Sequence, residues 1–374
     1  MRILYIISST QIGGAEKALY EIATASYTNG NDVRVICLKT PGAVADNLKK
    51  AGISVKSLDK LIHFTGKTIR QIRAEILSFK PDIVHAMLFR AIMYTRMACA
   101  KLPVKLITSP HFNLAHQSVF HRMADRLLKN KDTLTVAESY TTAHYLVQHQ
   151  HYRKEQVFLL PNGADEMRFY KDAVLRKTMR EKQSFHVKTV VFICVARLVP
   201  IKNPLVLLQS FRNVRRTCPQ AKLVYVGEGP ERAKLEDFAK QSNIEKDVLF
   251  AGEQKNINDW LNMADVFVLP SQEESSPLAL LEALRVGLPC IVSPAGDMPL
   301  WVQHGENGYV CPANDITLLS CFMTELAAQP DLREKMGQKS LQKAGNMKAL
   351  SQQYHQIYQQ VISNSFHVKT SQKE

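Results

Sequence analysis

The chain has 374 residues, of which 45% are apolar and 22% charged, and its formal net charge is +14. The length favours two domains, and the absence of any apolar run of about 18 residues argues against a membrane-spanning helix. The positive charge is compatible with a general solubility surface, attraction to an anionic membrane, or nucleic-acid binding.

Seven cysteines are scattered along the sequence without a Cys-x2-Cys pair. Neither a disulfide framework nor a zinc site is predicted, and a reducing cytoplasm fits this pattern. The opening MRILYII is short for a signal peptide and leads directly into a glycine turn and a helical pattern. We interpret it as the first strand.

After this strand, Gly13 and Gly14 form the turn into a helix predicted over residues 15–27, and DVRVICL is the second strand. Without Cβ atoms, this turn lets backbone amides approach a phosphate, and a tight turn without a ligand is the alternative. The pair does not form the Gly-x-Gly-x-x-Gly of nicotinamide sites, which weakens a dehydrogenase interpretation.

Two histidines lie at the carboxyl ends of later predicted strands. The buried strand in PDIVHAM is predicted to end at His85, and His111 follows LITSP. Because the carboxyl ends of strands line the ligand crevice of an open α/β sheet, both are candidates, with a structural histidine as the alternative for each. Asn162, in the turn after VFLLP, is a weaker candidate, as is His85.

Residues 171–187 are polar and basic without a strand pattern, and KTVVFICVAR then restarts the alternation of strands and helices. The predicted fold class is α/β, with two Rossmann-like doubly wound parallel-sheet domains facing each other across a cleft. The predicted parts are an N-terminal domain 1–170, a linker 171–187, a C-terminal domain 188–345, a helix 346–365 that returns to the N-terminal domain, and a tail 366–374.

The stretch ADVFVLPSQEESSPLALLEALRVG predicts a strand, a loop and a helix. Ser275 or Ser276 can cap this helix, Pro277 suits its first position, and Gly287 suits its C′ position. Glu274 and Glu282 flank the helix start. A phosphate or sugar bound there would meet backbone N–H donors and two carboxylates that accept hydrogen bonds from hydroxyls.

Several segments, in their order and spacing, together resemble glycosyltransferase family 4, the retaining, nucleotide-sugar-dependent transferases with the B-type fold. The resemblance extends over nearly the whole chain. The segments are GGAE at 13–16, PDIVHA at 81–86, PNGADEMRF at 161–169, ARLVPIKN at 196–203, VGEGPERAKLE at 226–236, LFAG at 249–252, ADVFVLPS with Glu274-x7-Glu282, and GLPCIVS at 287–293.

This resemblance implies that Arg197 and Lys202 hold the donor diphosphate. Two fixed cations would stabilise the charge on a departing nucleoside diphosphate without a metal, and a plain surface pair is the alternative. No Asp-x-Asp occurs in the sequence, which disfavours a metal-bound diphosphate. We therefore expect a nucleoside-diphosphate sugar as co-substrate, with no cofactor and no metal.

The resemblance further implies that Glu282 binds the ribose hydroxyls, Glu274 the sugar hydroxyls, and His111 the transferred sugar. The backbone N–H of Gly14 should lie near the diphosphate. The expected catalytic residues are His111, Arg197, Lys202 and Glu274, and the expected donor-binding residues are Gly13, Gly14, Arg197, Lys202, Gly252, Glu274, Ser276, Pro277, Leu278 and Glu282.

Two departures from the family pattern make donor assignment by analogy unsafe. Many relatives have Gly and a large apolar residue after the first Glu, where this chain has Ser275 and Ser276. Many also carry Gly-Gly-x-Pro-Glu after the next strand, whereas here Leu300 replaces the carboxylate. Retention is expected through front-side attack, because no carboxylate nucleophile for a double displacement can be nominated.

Two basic amphipathic stretches, residues 61–80 and 117–131, could lie on an anionic inner membrane and present a lipid-linked glycan. Core packing with a solvated basic edge is the alternative. Nucleic-acid binding is not expected, because the basic residues lack interleaved aromatics or a known reading motif.

The sequence thus predicts a cytoplasmic glycosyltransferase. In one hypothesis, the protein is peripheral on the inner face of the cytoplasmic membrane. It would move a hexose-type sugar from its nucleotide to a glycan or lipid-linked glycan acceptor. The alternatives are a nucleotide-sugar epimerase of the same fold and a catalytically silent binding subunit of a glycan-assembly complex.

Overall fold

The structure, a computed structural model, describes residues 1–11, 13–58, 66–111, 118–161, 163–345 and 350–363. The chain divides into two compact units, one comprising Met1–Asn162 with Ala349–Glu374 and the other Gly163–Lys348. Each unit contains one parallel sheet with its own helices, so the chain has two Rossmann-like domains, as predicted.

The first unit is built on seven parallel strands in the order β3-β2-β1-β4-β5-β6-β7. Strand interiors such as Ile3–Ile7 are fully buried, because helices cover both faces of a parallel sheet. The strands are β1 (Arg2–Ile7), β2 (Asp32–Cys37), β3 (Ser54–Ser57), β4 (Ile83–Met87), β5 (Lys105–Ser109), β6 (Leu134–Ala137) and β7 (Val157–Leu159).

The helices of the first unit connect these strands and pack against the sheet. Because all the strands are parallel, each connection crosses back over a face of the sheet. The helices are α1 (Gly14–Thr28), α2 (Ala43–Lys50), α3 (Gly66–Phe79), α4 (Phe89–Ala98), α5 (Val119–Leu128) and α6 (Tyr140–Gln148).

The second unit has six parallel strands in the order β10-β9-β8-β11-β12-β13, the doubly wound pattern of a dinucleotide-binding sheet. The strands are β8 (Val190–Val195), β9 (Ala221–Val226), β10 (Val248–Phe250), β11 (Val266–Leu269), β12 (Cys290–Val292) and β13 (Gly308–Val310). The helices are α7 (Ala173–Lys182), α8 (Pro204–Thr217), α9 (Arg232–Gln241), α10 (Ile257–Met263), α11 (Leu278–Val286), α12 (Met298–Trp301), α13 (Ile316–Ala328) and α14 (Pro330–Gly345).

The segment predicted as a linker differs in the structure, because it contains α7 and belongs to the second unit. The division between the units falls after Asn162 and not at residue 170. Arg176 and Arg180 both bind the Asp265 carboxylate, at 2.5 and 3.2 Å, and also donate to backbone carbonyls at the end of α10. These arginine contacts, with Met179 buried in the core of the second unit, hold the helix in place.

The last described helix, α15 (Leu350–Ile362), packs against α1 in the first unit. Its Tyr358 hydroxyl lies 2.7 Å from His85 Nδ1, and the Tyr354 hydroxyl lies 2.9 Å from the Ser109 hydroxyl. Ser109 in turn bonds His85 Nε2 at 2.8 Å. All four side chains are buried, so a closed polar network joins α15 to strands β4 and β5.

Among the described residues, no helix has both the length and the apolar character needed to cross a membrane.

Replacing Tyr358 with Phe should destabilise the first unit by about 1–3 kcal/mol, because His85 Nδ1 is then left buried without its partner. The measurement is urea unfolding by far-UV circular dichroism. Both tryptophans, Trp260 and Trp301, belong to the second unit, so their fluorescence reports that unit alone and should not change. The exposed Tyr170→Phe is the control. Equal effects of the two variants would contradict the prediction.

Candidate functional site

In the second unit, the candidate site forms where the strand order reverses. Strand β8 lies beside β11, with Phe192 paired to Val266 and Ile193 to Phe267. The chain after β8 and the chain after β11 therefore leave the same edge of the sheet side by side. This is the topological switch point, at which open α/β sheets bind their ligands.

Lys202 and Glu274 meet at this edge. A short 3-10 turn, Pro200–Lys202, presents the lysine, and its Nζ lies 2.6 Å from Glu274 Oε1. The Ser271 hydroxyl donates to the same carboxylate oxygen at 2.8 Å. The two charged side chains are 19% and 8% exposed, so the ion pair is largely buried yet reachable from solvent.

Asn203 anchors the turn that carries Lys202. Its backbone is left-handed, with φ 52° and ψ 41°, a conformation that Asn tolerates better than most residues. Its buried side chain donates to the Pro270 carbonyl at 3.1 Å and the Ala313 carbonyl at 3.0 Å, and accepts from Gln272 at 2.9 Å. The amide thus ties the exit loop of β8 to the exit loop of β11.

Arg197 follows β8 directly and is exposed, with no side-chain hydrogen bond or ion pair to another described residue. Its loop packs closely on the loop after β9. A Cβ added at Gly227 would lie 2.0 Å from the Ala196 carbonyl oxygen, and one at Gly229 would lie 2.3 Å from that of Leu198. The backbone is therefore held while the guanidinium stays available to an anion.

Helix α11 begins at Leu278, with Pro277 in the N-cap position and no side-chain cap hydrogen bond. This corrects the prediction that Ser275 or Ser276 caps the helix with Pro277 as its first residue. Pro277 is extended, with ψ 118°, and so stands outside the first turn. Gly287 ends the helix in a left-handed conformation, as predicted, and Glu282 is buried on it at 5% exposure.

The loop after β12 packs against Glu274 and Ser275, which precede helix α11. A Cβ added at Gly296 would lie 2.3 Å from the Glu274 carbonyl oxygen, and the backbone N–H of Asp297 donates to the Ser275 carbonyl at 2.9 Å. The two places where the sequence departs from the family pattern are therefore in direct backbone contact. Leu300, on the following helix α12, is 48% exposed.

Gly252 lies at the end of β10, with φ 70°, and its carbonyl accepts from the Gly227 N–H at 2.8 Å. This hydrogen bond joins the loop after β9 to the loop after β10 at the same edge of the sheet. Asn162, the weaker candidate, lies outside the described residues. No three His, Cys, Asp or Glu side chains within the described ranges are grouped so that they could hold a metal ion.

In the first unit, Gly13 is the N-cap of α1 and Gly14 is its first residue. The Glu16 carboxylate lies over Gly13, where an added Cβ would come within 2.4 Å of Oε2. No described atom comes within 4 Å of a Cβ added at Gly14. A ligand can therefore approach the helix N-terminus from the Gly14 side, where the first backbone N–H groups have no intrahelical acceptor.

The two histidines occupy different environments. His85 lies in the middle of β4 and not, as was predicted, at its carboxyl end, and it is bonded at both ring nitrogens inside the core. Burial, with a smaller effect of His111, lowers the pKa of His85 to about 3. His111 has a left-handed backbone, φ 52°, and its buried Nε2 has no hydrogen-bond partner among the described residues. Burial lowers the pKa of His111 to about 4. Strain with an unsatisfied ring nitrogen is typical of functional positions.

The structure thus brings Lys202, Glu274 and the start of α11 together in one unit. Sequence reasoning missed Ser271 and Asn203, which position these groups. The Asn203-Pro204 dipeptide is a turn signal that could have identified Asn203. Nothing in the local pattern around Ser271 indicates its bond to Glu274.

Two family models match adjoining parts of the chain. The model described as Glycosyltransferase Family 4 matches residues 12–168, and the model described as Glycosyl transferases group 1 matches residues 176–343. Together they span most of both units. The chain belongs to the family 4, group 1 glycosyltransferases.

Individual relatives match over part of their length. N-acetyl-alpha-D-glucosaminyl L-malate synthase of Bacillus anthracis is 33% identical over 175 residues, 46% of each chain. UDP-Gal:alpha-D-GlcNAc-diphosphoundecaprenol alpha-1,3-galactosyltransferase of Escherichia coli is 34% identical over 165 residues, 43% of this chain and 42% of that protein. This chain spans less than half the length of these two relatives.

Among solved structures, Anabaena Alr3699/HepE in complex with UDP is similar with a TM-score of 0.85 and 20% identity. The match covers 97% of this chain and 100% of that one. At this identity the similarity concerns the fold.

The anchoring role of Asn203 can be tested against Asn243, which is also left-handed, with φ 54°, but exposed. Asn203→Gly keeps the backbone conformation and removes the side-chain hydrogen bonds, so it should destabilise the second unit by about 1–3 kcal/mol. Asn203→Ala should cost about 1–2 kcal/mol more, because Ala disfavours that backbone. Tryptophan fluorescence during urea unfolding measures both. Asn243→Gly should be near neutral, and an equal loss there would contradict the anchor.

The lowered pKa values of His85 and His111 predict a pH dependence of the first unit. Their folded pKa values, about 3 for His85 and about 4 for His111, lie below the unfolded value of about 6.5. The unfolded chain then binds more protons, so stability should fall as pH decreases from about 6.5 towards 4. Unfolding followed by circular dichroism should show a shallower loss in His111→Asn than in the exposed control His144→Asn. Identical slopes would contradict the lowered pKa of His111.

Proposed function

We propose that the chain is a retaining glycosyltransferase that moves a hexose-type sugar from a nucleoside diphosphate to a glycan or lipid-linked glycan, without a metal. The observation that carries the proposal is the contact of Lys202 with Glu274 at the switch point, beside the start of α11. A cation for phosphate and a carboxylate for sugar hydroxyls are there side by side.

The Lys202–Glu274 pair also suggests how donor binding proceeds. A diphosphate competes for the lysine as a doubly charged anion, and Arg197, exposed nearby in sequence, adds a second cation. Among the described residues, Lys202 and Ser271 bond the Glu274 carboxylate, and both bonds go to Oε1. Oε2 is therefore available to a sugar hydroxyl. When the bond to the departing oxygen breaks, the two cations stabilise the charge that develops on it.

The donor we favour is a uridine diphosphate sugar. Anabaena Alr3699/HepE has been solved with UDP and with UDP-glucose, and the name of the Escherichia coli relative specifies UDP-Gal. Glu282 on α11 is the residue we assign to the ribose, and His111, with the N-terminus of α1, is the contribution we assign to the first unit.

For the acceptor, we infer a glycan or lipid-linked glycan in surface polysaccharide or lipopolysaccharide assembly on the cytoplasmic side. The Escherichia coli relative is named for a diphosphoundecaprenol acceptor, and a Mycolicibacterium smegmatis relative for phosphatidylinositol monomannoside. We infer that the configuration is retained through front-side attack. A double displacement would need a carboxylate nucleophile, and Glu274 is assigned to the donor hydroxyls instead.

Lys202→Ala and Glu274→Gln should each lower kcat about 100- to 1000-fold with a UDP-sugar donor, because each removes charge from the site. The exposed pair Lys177 and Glu181, with its nitrogen and oxygen 4.0 Å apart, provides matched controls, and Lys177→Ala and Glu181→Gln should keep the parental rate. Thermal unfolding with and without UDP separates binding from folding, since a ligand that binds the native state raises its melting temperature. Parental transfer rates in both site variants would reject the site.

Further outcomes decide between the alternatives. Anomeric proton NMR of the product should show the donor configuration retained, and an inverted product would reject front-side attack. Transfer should persist in EDTA. A sugar product formed without any acceptor would identify an epimerase, and UDP-sugar binding without turnover in the presence of a partner complex would identify a silent subunit.

A further inference from the structure

Helix α5 in the first unit buries a charged side chain and exposes large apolar ones, which is the reverse of an ordinary surface helix. The only residue of α5 that is fully buried is Asp125. Its carboxylate accepts from the Arg96 guanidinium at 2.7 Å and from the Tyr152 hydroxyl at 2.9 Å. The inward side of this helix is therefore held by charge and hydrogen bonds, together with the half-buried Ala124 and Leu128, which pack against the core of the first unit.

The outward side of α5 is apolar. Val119, Phe120, Met123 and Leu127 are 62%, 77%, 55% and 78% exposed. At 100° per residue they fall within an arc of about 100°. Surface helices of globular proteins turn such a stripe towards the core, so this one is built to meet an apolar partner outside the unit.

The Arg96 network keeps the apolar side outside. The Arg96 guanidinium also binds both oxygens of Asp132, with Nε at 2.8 Å from Oδ1 and Nη2 at 2.5 Å from Oδ2. Lys129, just after the helix, donates to the Gln150 carbonyl at 2.5 Å. Rotating α5 to bury its stripe would break the bonds of Asp125 to Arg96 and Tyr152 and leave two buried polar groups without one of their partners, which is unfavourable.

The charges around the stripe indicate the kind of partner. Arg122 and Arg126 lie on one flank of the apolar arc, and Asp125, the only acidic residue of the helix, is neutralised inside by Arg96. Arg126 and Lys129 donate to the carbonyls of His149 and Gln150, and the exposed Arg153 and Lys154 come just after these residues. The flank is therefore cationic, which complements an anionic surface.

The size of the stripe argues for a lipid surface over a protein interface. A helix of ten residues is about 15 Å long. Its four apolar side chains cannot supply the roughly 800 Å² that each partner contributes to a stable protein interface. Shallow insertion of a few apolar side chains beside cationic residues is the usual geometry of an interfacial helix.

We propose that α5 docks the first unit on an anionic lipid bilayer, with Val119, Phe120, Met123 and Leu127 inserted among the acyl chains. Arg122 and Arg126 contact the headgroups. The helix follows β5 and so begins at the carboxyl edge of the sheet, the edge at which His111 lies. Docking brings that edge to the membrane surface. This inference concerns the partner of the first unit and does not depend on the proposed transferase activity.

The test is co-sedimentation of the full chain with vesicles of phosphatidylcholine alone or with one third phosphatidylglycerol. The parent should bind the anionic vesicles, and Phe120→Ser with Leu127→Ser should lower the partition coefficient at least tenfold. Arg122→Gln with Arg126→Gln should lower it about fivefold per charge at low salt. Because Phe120 and Leu127 are exposed, thermal unfolding of Phe120→Ser with Leu127→Ser should stay at the parental temperature. The melting temperature of Arg122→Gln with Arg126→Gln is measured as well, because Arg126 donates to the His149 carbonyl.

Matched controls come from the second unit, where Val174 and Val187 are 74% and 81% exposed. Val174→Ser with Val187→Ser should bind vesicles as the parent does. Equal binding of the parent to neutral and anionic vesicles, or no binding to either, would overturn the proposal. Self-association that Phe120→Ser with Leu127→Ser abolishes, measured by sedimentation velocity without lipid, would instead assign the stripe to a second copy of the chain and also overturn it.

Discussion

The pairing of β8 with β11 is the constraint on which the candidate site of the second unit depends. Lys202 and Glu274 are 72 residues apart in the chain, and they meet because the strands that precede them are neighbours in the sheet. Strand order reverses between these two strands, so one following helix covers each face and the space between the exit loops stays open. The pairing brings the two exit loops together, and the side chains on those loops then place the cation against the carboxylate.

The largely buried ion pair explains why the site needs several supporting residues. A carboxylate and an ammonium removed from water are favourable only when their geometry is good and their remaining bonds are satisfied. Ser271 supplies a second donor to Glu274, and Asn203 fixes the turn of Lys202 against the neighbouring loop. These bonds orient both charges before a ligand arrives, so less reorganisation is needed on binding.

The sequence predicted the features that depend on local pattern and could not predict those that depend on distant partners. Buried runs such as VVFICV located the strands, and the left-handed Gly287 ended α11 as expected. Helix α7 was not predicted, because its arginines are stabilised by Asp265, which lies far along the chain. The bond from His85 to Tyr358 spans 273 residues, and no window of sequence contains both.

Helix α5 shows why an apolar periodicity alone does not distinguish a core helix from a docking helix. The stripe in QSVFHRMADRLLKNK has the same spacing in either case, and only the direction of the helix decides between them. That direction is set by Asp125, whose partner Arg96 is 29 residues away on α4. Burying an aspartate costs free energy unless a cation compensates it, so the ion pair pulls the polar side inward. The apolar side must then face outward, and the pair that stabilises the core also determines the surface that the first unit presents.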